Sequence, residues 1–299
     1  MTQAISSESA KQPEASGLTR SPEKLSKDAF KLVYGLAMAQ PWLKDESHAL
    51  GELIDECANL DQQDLICRLL HRFLMLDHDA FGKAIQAIAD HVQDDLGLVP
   101  SETYLVSLDD GKYADSAEFV LYALKNAAWK DSGWGMLNFV KPRSTVLELP
   151  VRKHIVLVDE FVGTGRTVMK SVKKLRAQLA EKELEYQIHF AAIAGMDAGR
   201  NCVSGVVADP FFAHVLQKGI SDHASEGDVE KAIGEMKVME SRLAPQSPRG
   251  TLATHHLGYG KSEALYSRLG GNTPNNVFPV FWWREYADGS RRKAILKCT

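Results

Sequence analysis

Four apolar residues, Ile155, Val156, Leu157 and Val158, run straight into two acids, Asp159 and Glu160, and then into Gly163-Thr164-Gly165-Arg166-Thr167. A short apolar run bounded by turn residues reads as a buried strand. From Thr167 to about Lys182, Val168, Val172, Leu175 and Leu179 recur at helical spacing on an otherwise basic segment. The neighbouring segments repeat this order of strand, turn and helix. TYLVSL (103–108), MLNFV (136–140), YQIHFAAIAGM (186–196) and GVVADPFF (205–212) read as strands, and SAEFVLYALKNAAW (116–129) reads as a helix. KPRSTVLELPVRK (141–153) is a connection whose middle also reads as extended. Strands alternating with helices predict an α/β fold with a Rossmann-like, mainly parallel sheet.

The first third of the chain has a different period. Ser21-Pro22-Glu23 is a helix start, and apolar residues then recur at helical spacing through Leu36, Leu53, Leu69 and Ile88, until Gly97 and Pro100. This predicts an N-terminal α-helical domain over 21–97 and an α/β domain over 98–299, with 250–299 as its C-terminal segment. Residues 1–20 hold few large apolar side chains and read as a disordered tail. Ser225 to Leu243 reads as a charged surface helix, and NVFPVFWW (276–283) as a final strand. A length of 299 residues suits one large or two modest domains.

Composition narrows the function classes. A formal charge of -4 and a pI near 6.2 give no global attraction for nucleic acid. Cys57, Cys67, Cys202 and Cys298 are scattered, which fits reduced thiols in the cytoplasm and gives no zinc framework. No apolar run approaches the roughly 18 residues of a membrane span, and the N-terminus carries no apolar signal core.

In an open α/β sheet, ligands bind beyond the carboxyl ends of the strands, where Asp159 and Glu160 fall. Adjacent acids point in different directions and suit a ligand with several donors, such as a ribose with vicinal hydroxyls. Gly163 and Gly165 allow a tight turn with successive N–H groups exposed. Thr164 and Thr167 add hydroxyls, and the following helix adds its positive end. Together they form an anion cradle about one sugar length from the carboxylates.

The stretch Ile155 to Thr167 resembles the signature of type I phosphoribosyltransferases that bind phosphoribosyl pyrophosphate (PRPP): four hydrophobic residues, two acids, a spacer and T-G-x-T. The resemblance implies that Asp159 and Glu160 hold the ribose hydroxyls and that Gly163, Thr164, Gly165, Arg166 and Thr167 hold the 5-phosphate. LGYGKSEALYS (257–267) and GGNTPNNVFPVFWW (270–283) are similar to C-terminal motifs of a narrower group, the phosphoribosyltransferase-like effectors (PRTase-CE) of bacterial conflict and anti-phage systems. Membership implies a magnesium-dependent, PRPP-using toxic effector with a small-molecule acceptor and a protein partner docked on the helical domain. A non-catalytic sensor of PRPP or a nucleotide, or a subunit acting with a reverse transcriptase or ATPase, stays open. Such enzymes also need a pyrophosphate loop after the first sheet strand, a place taken by Asp109, Asp110, Gly111 and Lys112. An ordinary Asp-Asp-Gly turn reads equally well there. Lys141 and Arg143 occupy the place of a mobile closing loop, or form a solvated basic turn. Tyr259, Lys261, Asn275 and Trp282 are candidates for a hood over the base; Trp282 and Trp283 either stack a base or pack in the core.

Competing readings fail on their partners. IVLVDE is also a Walker B strand, yet Gly260-Lys261-Ser262 follows it, and His255 stands where a P-loop needs its first glycine. A dinucleotide fingerprint lacks its third glycine, since position 168 is valine. His255 and His256 are neighbours that share no face and read as loop histidines, with no metal ligand set.

Overall fold

The computed structural model describes residues 27–109, 116–141, 143–248 and 250–298. The expected tail, 1–20, lies outside them. Helices α1 (Lys27–Ala39), α2 (Ser47–Asp55) and α3 (Leu60–His71) come first, followed by the short strand β1 (Leu74–Leu76) and by α4 (His78–Asp90). The Asn59 side chain accepts from Gln62 N at 2.9 Å and that of Asp77 from Ala80 N at 2.8 Å, capping α3 and α4. Then come β2 (Thr103–Ser107), α5 (Ser116–Leu124), β3 (Phe139–Val140), β4 (His154–Val162), α6 (Arg166–Glu181), β5 (Gln187–Met196), α7 (Asp197–Ser204) and β6 (Phe211–Leu216). The last part holds α8 (Val229–Glu240), the small β7 (Gln246–Ser247) and β8 (Gly250–Thr251) pair, α9 (Leu252–His255) and β9 (Tyr266–Arg268).

Five strands form one parallel sheet in the order β3-β2-β4-β5-β6. The predicted α/β class with a mainly parallel, Rossmann-like sheet and a helical N-terminal region is what the chain adopts. Side chains alternate across the central strands. Val156, Val158, Ala191 and Ile193 face α4 and α5, while Ile155, Leu157, Phe190 and Ala192 face α6 and α7. From β2 the chain crosses to β3 on one side, then returns to place β4 on the other. The reversal puts a topological switch point between β2 and β4, the place where open α/β sheets hold their ligands.

A second core joins the two ends of the sequence. Leu43, Leu53, Leu69 and Met236 pack with Val277, Phe278, Phe281 and Trp283, and β1 pairs in parallel with β9. Packing therefore does not follow a division at 97/98. Helix α4 covers the β4 and β5 face, and α1 to α3 pack on the C-terminal segment.

Several local expectations shift for identifiable reasons. NVFPVFWW is no strand: Phe281, Trp282 and Trp283 direct their N–H groups to Phe278 and Pro279 carbonyls, a 3-10 turn entered through a proline that cannot donate to a ladder. Residues 143–147 wind into a 3-10 turn, and only Phe139–Val140 of the MLNFV stretch is extended. β6 starts after Pro210, and α8 occupies only Val229–Glu240 of the helix expected over 225–243.

A chain starting at residue 98 would expose the apolar face that Phe81, Ile85, Ile88 and Val92 cover, each side chain worth about 1.5–3 kcal/mol. Such a truncation should lose cooperative thermal unfolding and bind a hydrophobic dye; a sharp melt would show that the α/β part folds alone.

Candidate functional site

β4 does not stop at its acids but continues to Val162, pairing Asp159 with Ala192 and Val162 with Gly195. Alternation then separates the two carboxylates. Asp159 is half-buried and accepts Glu160 N on Oδ1 at 2.7 Å. Glu160 is 2% exposed and points to the β9 side. Arg268 holds it with Nε at 3.2 Å and Nη2 at 3.3 Å, and Tyr266 OH donates to Oε1 at 3.3 Å. The Arg268 guanidinium lies 4.2 Å from the Phe119 ring centroid and 5.0 Å from that of Phe81, and the Tyr266 ring stacks on Phe161 at 4.8 Å. Burial first, and the Glu160 charge second, push the Tyr266 phenol well above its usual range, so it stays a donor. In this arrangement Glu160 is a tied carboxylate rather than an open ribose ligand. Nothing near Glu160 in sequence signals this, because Arg268 is more than a hundred residues away.

The turn after β4 is built from backbone. Gly165 is left-handed at φ 75°, and a Cβ there would lie 2.8 Å from both Cys202 Cβ and Gly199 O. Gly199 has no room for a Cβ against Gly163 O, nor Gly163 against the Asn276 side chain. The first bond of α6 runs from Met169 N to Gly165 O at 2.9 Å. Among the described residues the amides of Arg166, Thr167 and Val168 have no acceptor, and no side chain caps the helix. With the helix dipole behind them, these N–H groups form a site for a phosphate-sized anion. Thr164 is half-buried, and Arg166 and Thr167 are exposed at its rim.

Across the switch point, β2 leads into Leu108 and Asp109. Asp110, Gly111 and Lys112 lie outside the described residues. Asp109 is half-buried and its carbonyl accepts Ser107 Oγ at 3.4 Å. Arg143 is 2% exposed and donates Nη1 to Leu108 O at 3.0 Å, and Lys141 pairs with Glu118 on α5. Arg143 is thus a strut under the start of this loop, not part of a solvated basic turn.

The hood candidates divide as well. Tyr259 N donates to Asn275 O at 2.9 Å, and Asn276 Nδ2 to Tyr259 O at 3.0 Å. Gly260, between Tyr259 and Lys261, abuts Thr164. Tyr259, Lys261 and Asn275 therefore belong to a loop that touches the β4–α6 turn through Gly260. Trp282 does not: it is 3% exposed, and its indole N–H donates to Val277 O at 2.9 Å. This corrects the stacking role for Trp282, since the proline turn carries the ring inward. Asn276 and Gly199 line the turn, and Gly258 packs behind Asn276. Leu257 N is held by Glu240, which is fully buried beside His256 Nδ1 at 2.9 Å. Burial pushes the Glu240 carboxyl up to about 8 and lowers the His256 imidazole, so the pair is neutral near pH 7.

A parallel sheet, a switch point and a glycine turn before α6 are the framework of a phosphoribosyltransferase-type protein. The chain belongs to the PRTase-CE family, whose model matches residues 56–296. Among solved structures it is similar to orotate phosphoribosyltransferase from Aeropyrum pernix, at 14% identity over 46% of this chain and 72% of that chain, with a TM-score of 0.28. A xanthine-guanine-hypoxanthine phosphoribosyltransferase of Helicobacter pylori is 14% identical over 51% of this chain and 95% of that chain, with a TM-score of 0.29. A hypothetical protein from Neisseria gonorrhoeae with bound ppGpp is 12% identical over 48% and 85%, also with a TM-score of 0.29. No curated protein matches the sequence. Among the described residues no helix is long and apolar enough to cross a membrane.

Two outcomes test this geometry. Arg268→Met leaves a buried carboxylate without its guanidinium and should cost about 3–5 kcal/mol in a urea melt; an unchanged midpoint would show that the pair is not holding the strand. Burial raises the folded Glu240 carboxyl to about 8, above the ordinary glutamate value of 4.5, so its contribution is full below about pH 4.5 and lost as pH rises through about 8. Stability should fall over that window, and Glu240→Gln should flatten the fall; parallel pH–stability curves for the two proteins would contradict it.

Proposed function

We propose that the protein binds PRPP at the β2–β4 switch point and transfers its ribose phosphate to a small acceptor, a nucleobase or nucleotide. The observation that carries this reading is the set of orphan amides at Arg166, Thr167 and Val168, at the helix that follows the Asp159 strand. The 5-phosphate would take those amides with the Thr164 and Thr167 hydroxyls, and Asp159 would accept from the ribose hydroxyls. The C1–oxygen bond breaks with its electron pair leaving on pyrophosphate, the acceptor bonds to C1, and the acceptor's proton is released. Positive charge developing on the ribose is favoured by a carboxylate at its hydroxyl edge.

Magnesium bound to the substrate would neutralise charge on the departing pyrophosphate. Among the described residues no cluster of three or more His, Cys, Asp or Glu could hold a metal. The donors present fit an ion carried mainly by substrate oxygens with one carboxylate, Asp159, nearby. Asp109 to Lys112 would form the pyrophosphate loop, seated on Arg143. Family membership and the resemblance of the C-terminal motifs support a further reading, a toxic effector of anti-phage defence in the cytoplasm, released by a partner on the helical region.

A second reading, a non-catalytic PRPP or nucleotide sensor, is favoured by the engagement of Glu160 with Arg268. Incubation with PRPP, magnesium and a nucleotide extract separates the two. The transferase reading expects pyrophosphate release, reduced about ten- to a hundredfold by Asp159→Asn, the scale of one hydrogen bond to a charged group. Binding of PRPP without pyrophosphate release over hours identifies a sensor. No PRPP binding at all sinks both.

A further inference from the structure

We propose that Lys261 supplies the cation of the phosphate cradle, so that the site for a phosphate monoester is built from two distant segments, the β4–α6 turn and the loop 257–263. This rests on the sugar-phosphate reading of that turn and adds to it a ligand from outside the strand-turn-helix unit.

The loop has an unusual backbone. Leu257 (φ 60°), Gly258 (77°), Gly260 (69°), Lys261 (53°) and Glu263 (50°) are all left-handed, and three of them carry side chains. Such conformations persist only where surrounding contacts over-determine them, and they concentrate at ligand clamps. Here both ends are pinned by buried carboxylates. At the start, Leu257 N donates to Glu240 at 3.1 and 3.2 Å. At the end, Glu263, 1% exposed, accepts Ile220 N at 2.9 Å, Ser221 N at 2.8 Å and Ser221 Oγ at 2.5 Å. Ser262 Oγ closes the turn onto Tyr259 O at 2.7 Å.

What this rigid loop presents is Lys261. Its neighbour Gly260 abuts the phosphate turn so closely that a Cβ would lie 2.6 Å from Thr164 Cγ2. Lys261 itself is exposed and has no acid partner among the described residues. The acids nearest in sequence are committed elsewhere, Glu263 to the 220–221 turn and to Lys218 at 3.9 Å, Glu240 to Leu257 and His256. An exposed lysine without an acid partner is thus the chain neighbour of the residue that touches the turn whose helix amides lack acceptors. A dianionic phosphate satisfies both.

Calorimetric titration with ribose 5-phosphate, with ribose as the phosphate-free control, tests the assignment. Lys261→Gln and Lys261→Met should each weaken ribose 5-phosphate about ten- to a hundredfold at unchanged melting temperature. Lys261→Arg should stay close to wild type, and Lys182→Gln, which removes the same charge just beyond the far end of α6, should leave affinity unchanged. Wild-type affinity in both neutral variants overturns the role of Lys261 while leaving the sugar-phosphate site standing. Equal losses for Lys261→Gln and Lys182→Gln would also overturn it, reducing the effect to overall charge. A wild-type protein that binds neither ribose 5-phosphate nor PRPP overturns the site and this inference together.

Discussion

Gly163 and Gly165 have no room for a side chain, and the elements around the turn after β4 are arranged against that restriction. On one side α7 brings Gly199 and Cys202 against Gly163 and Gly165; on the other Asn276 and Gly260 close on Gly163 and Thr164. An amide nest is useful only if its N–H groups stay aimed at one point, and here two layers of protein hold the turn. The sheet fixes where β4 ends, α7 fixes the inner wall, and the C-terminal segment fixes the outer one. Moving any of them shifts the amides.

The C-terminal segment has little regular structure and is held by acids. Glu160 binds Arg268, Glu240 binds Leu257 and His256, and Glu263 binds the 220–221 turn. Glu56 takes Arg292 Nε at 2.7 Å and Nη2 at 2.8 Å, as well as Tyr286 OH at 2.8 Å. Glu240 and His256 are a neutral pair, but the two charge pairs, Glu160–Arg268 and Glu56–Arg292, gain little net stability against apolar replacements, because desolvation offsets the attraction. What they do supply is geometry, since a carboxylate leaves its site only by exposing an uncompensated charge. A segment of short turns over a glycine-lined contact needs positional restraint more than it needs buried area.

How much of this was legible depends on the range of the interaction. The strand-turn-helix at 154–181 could be read because its signals are local: a branched apolar run, two glycines and a helical period. The parallel sheet followed from repetition of that unit. That the two acids diverge follows from strand alternation, but the tying of Glu160 could not be read, since its partner lies more than a hundred residues later. The residue types at Trp282 and Trp283 allow base stacking or core packing alike, and the direction is set by the turn at Pro279. The helical character of the first third was visible, but not that α4 belongs to the sheet's core and α1 to α3 to that of the C-terminal segment.

That last arrangement links the sequence's first and last thirds to the candidate site. β1 pairs with β9, and β9 carries both Tyr266 and Arg268, which hold Glu160. The same guanidinium rests on Phe81 of α4 and Phe119 of α5, and α5 follows directly after the loop expected to meet pyrophosphate. The N-terminal helices are therefore linked to β4 through one paired strand and one ion pair. Most of these contacts join rigid elements, so the coupling has few soft links. The weakest is the short β1–β9 pairing itself, three residues on each strand. If a partner acts on the site from the helical side, that pairing is where its binding energy would be felt.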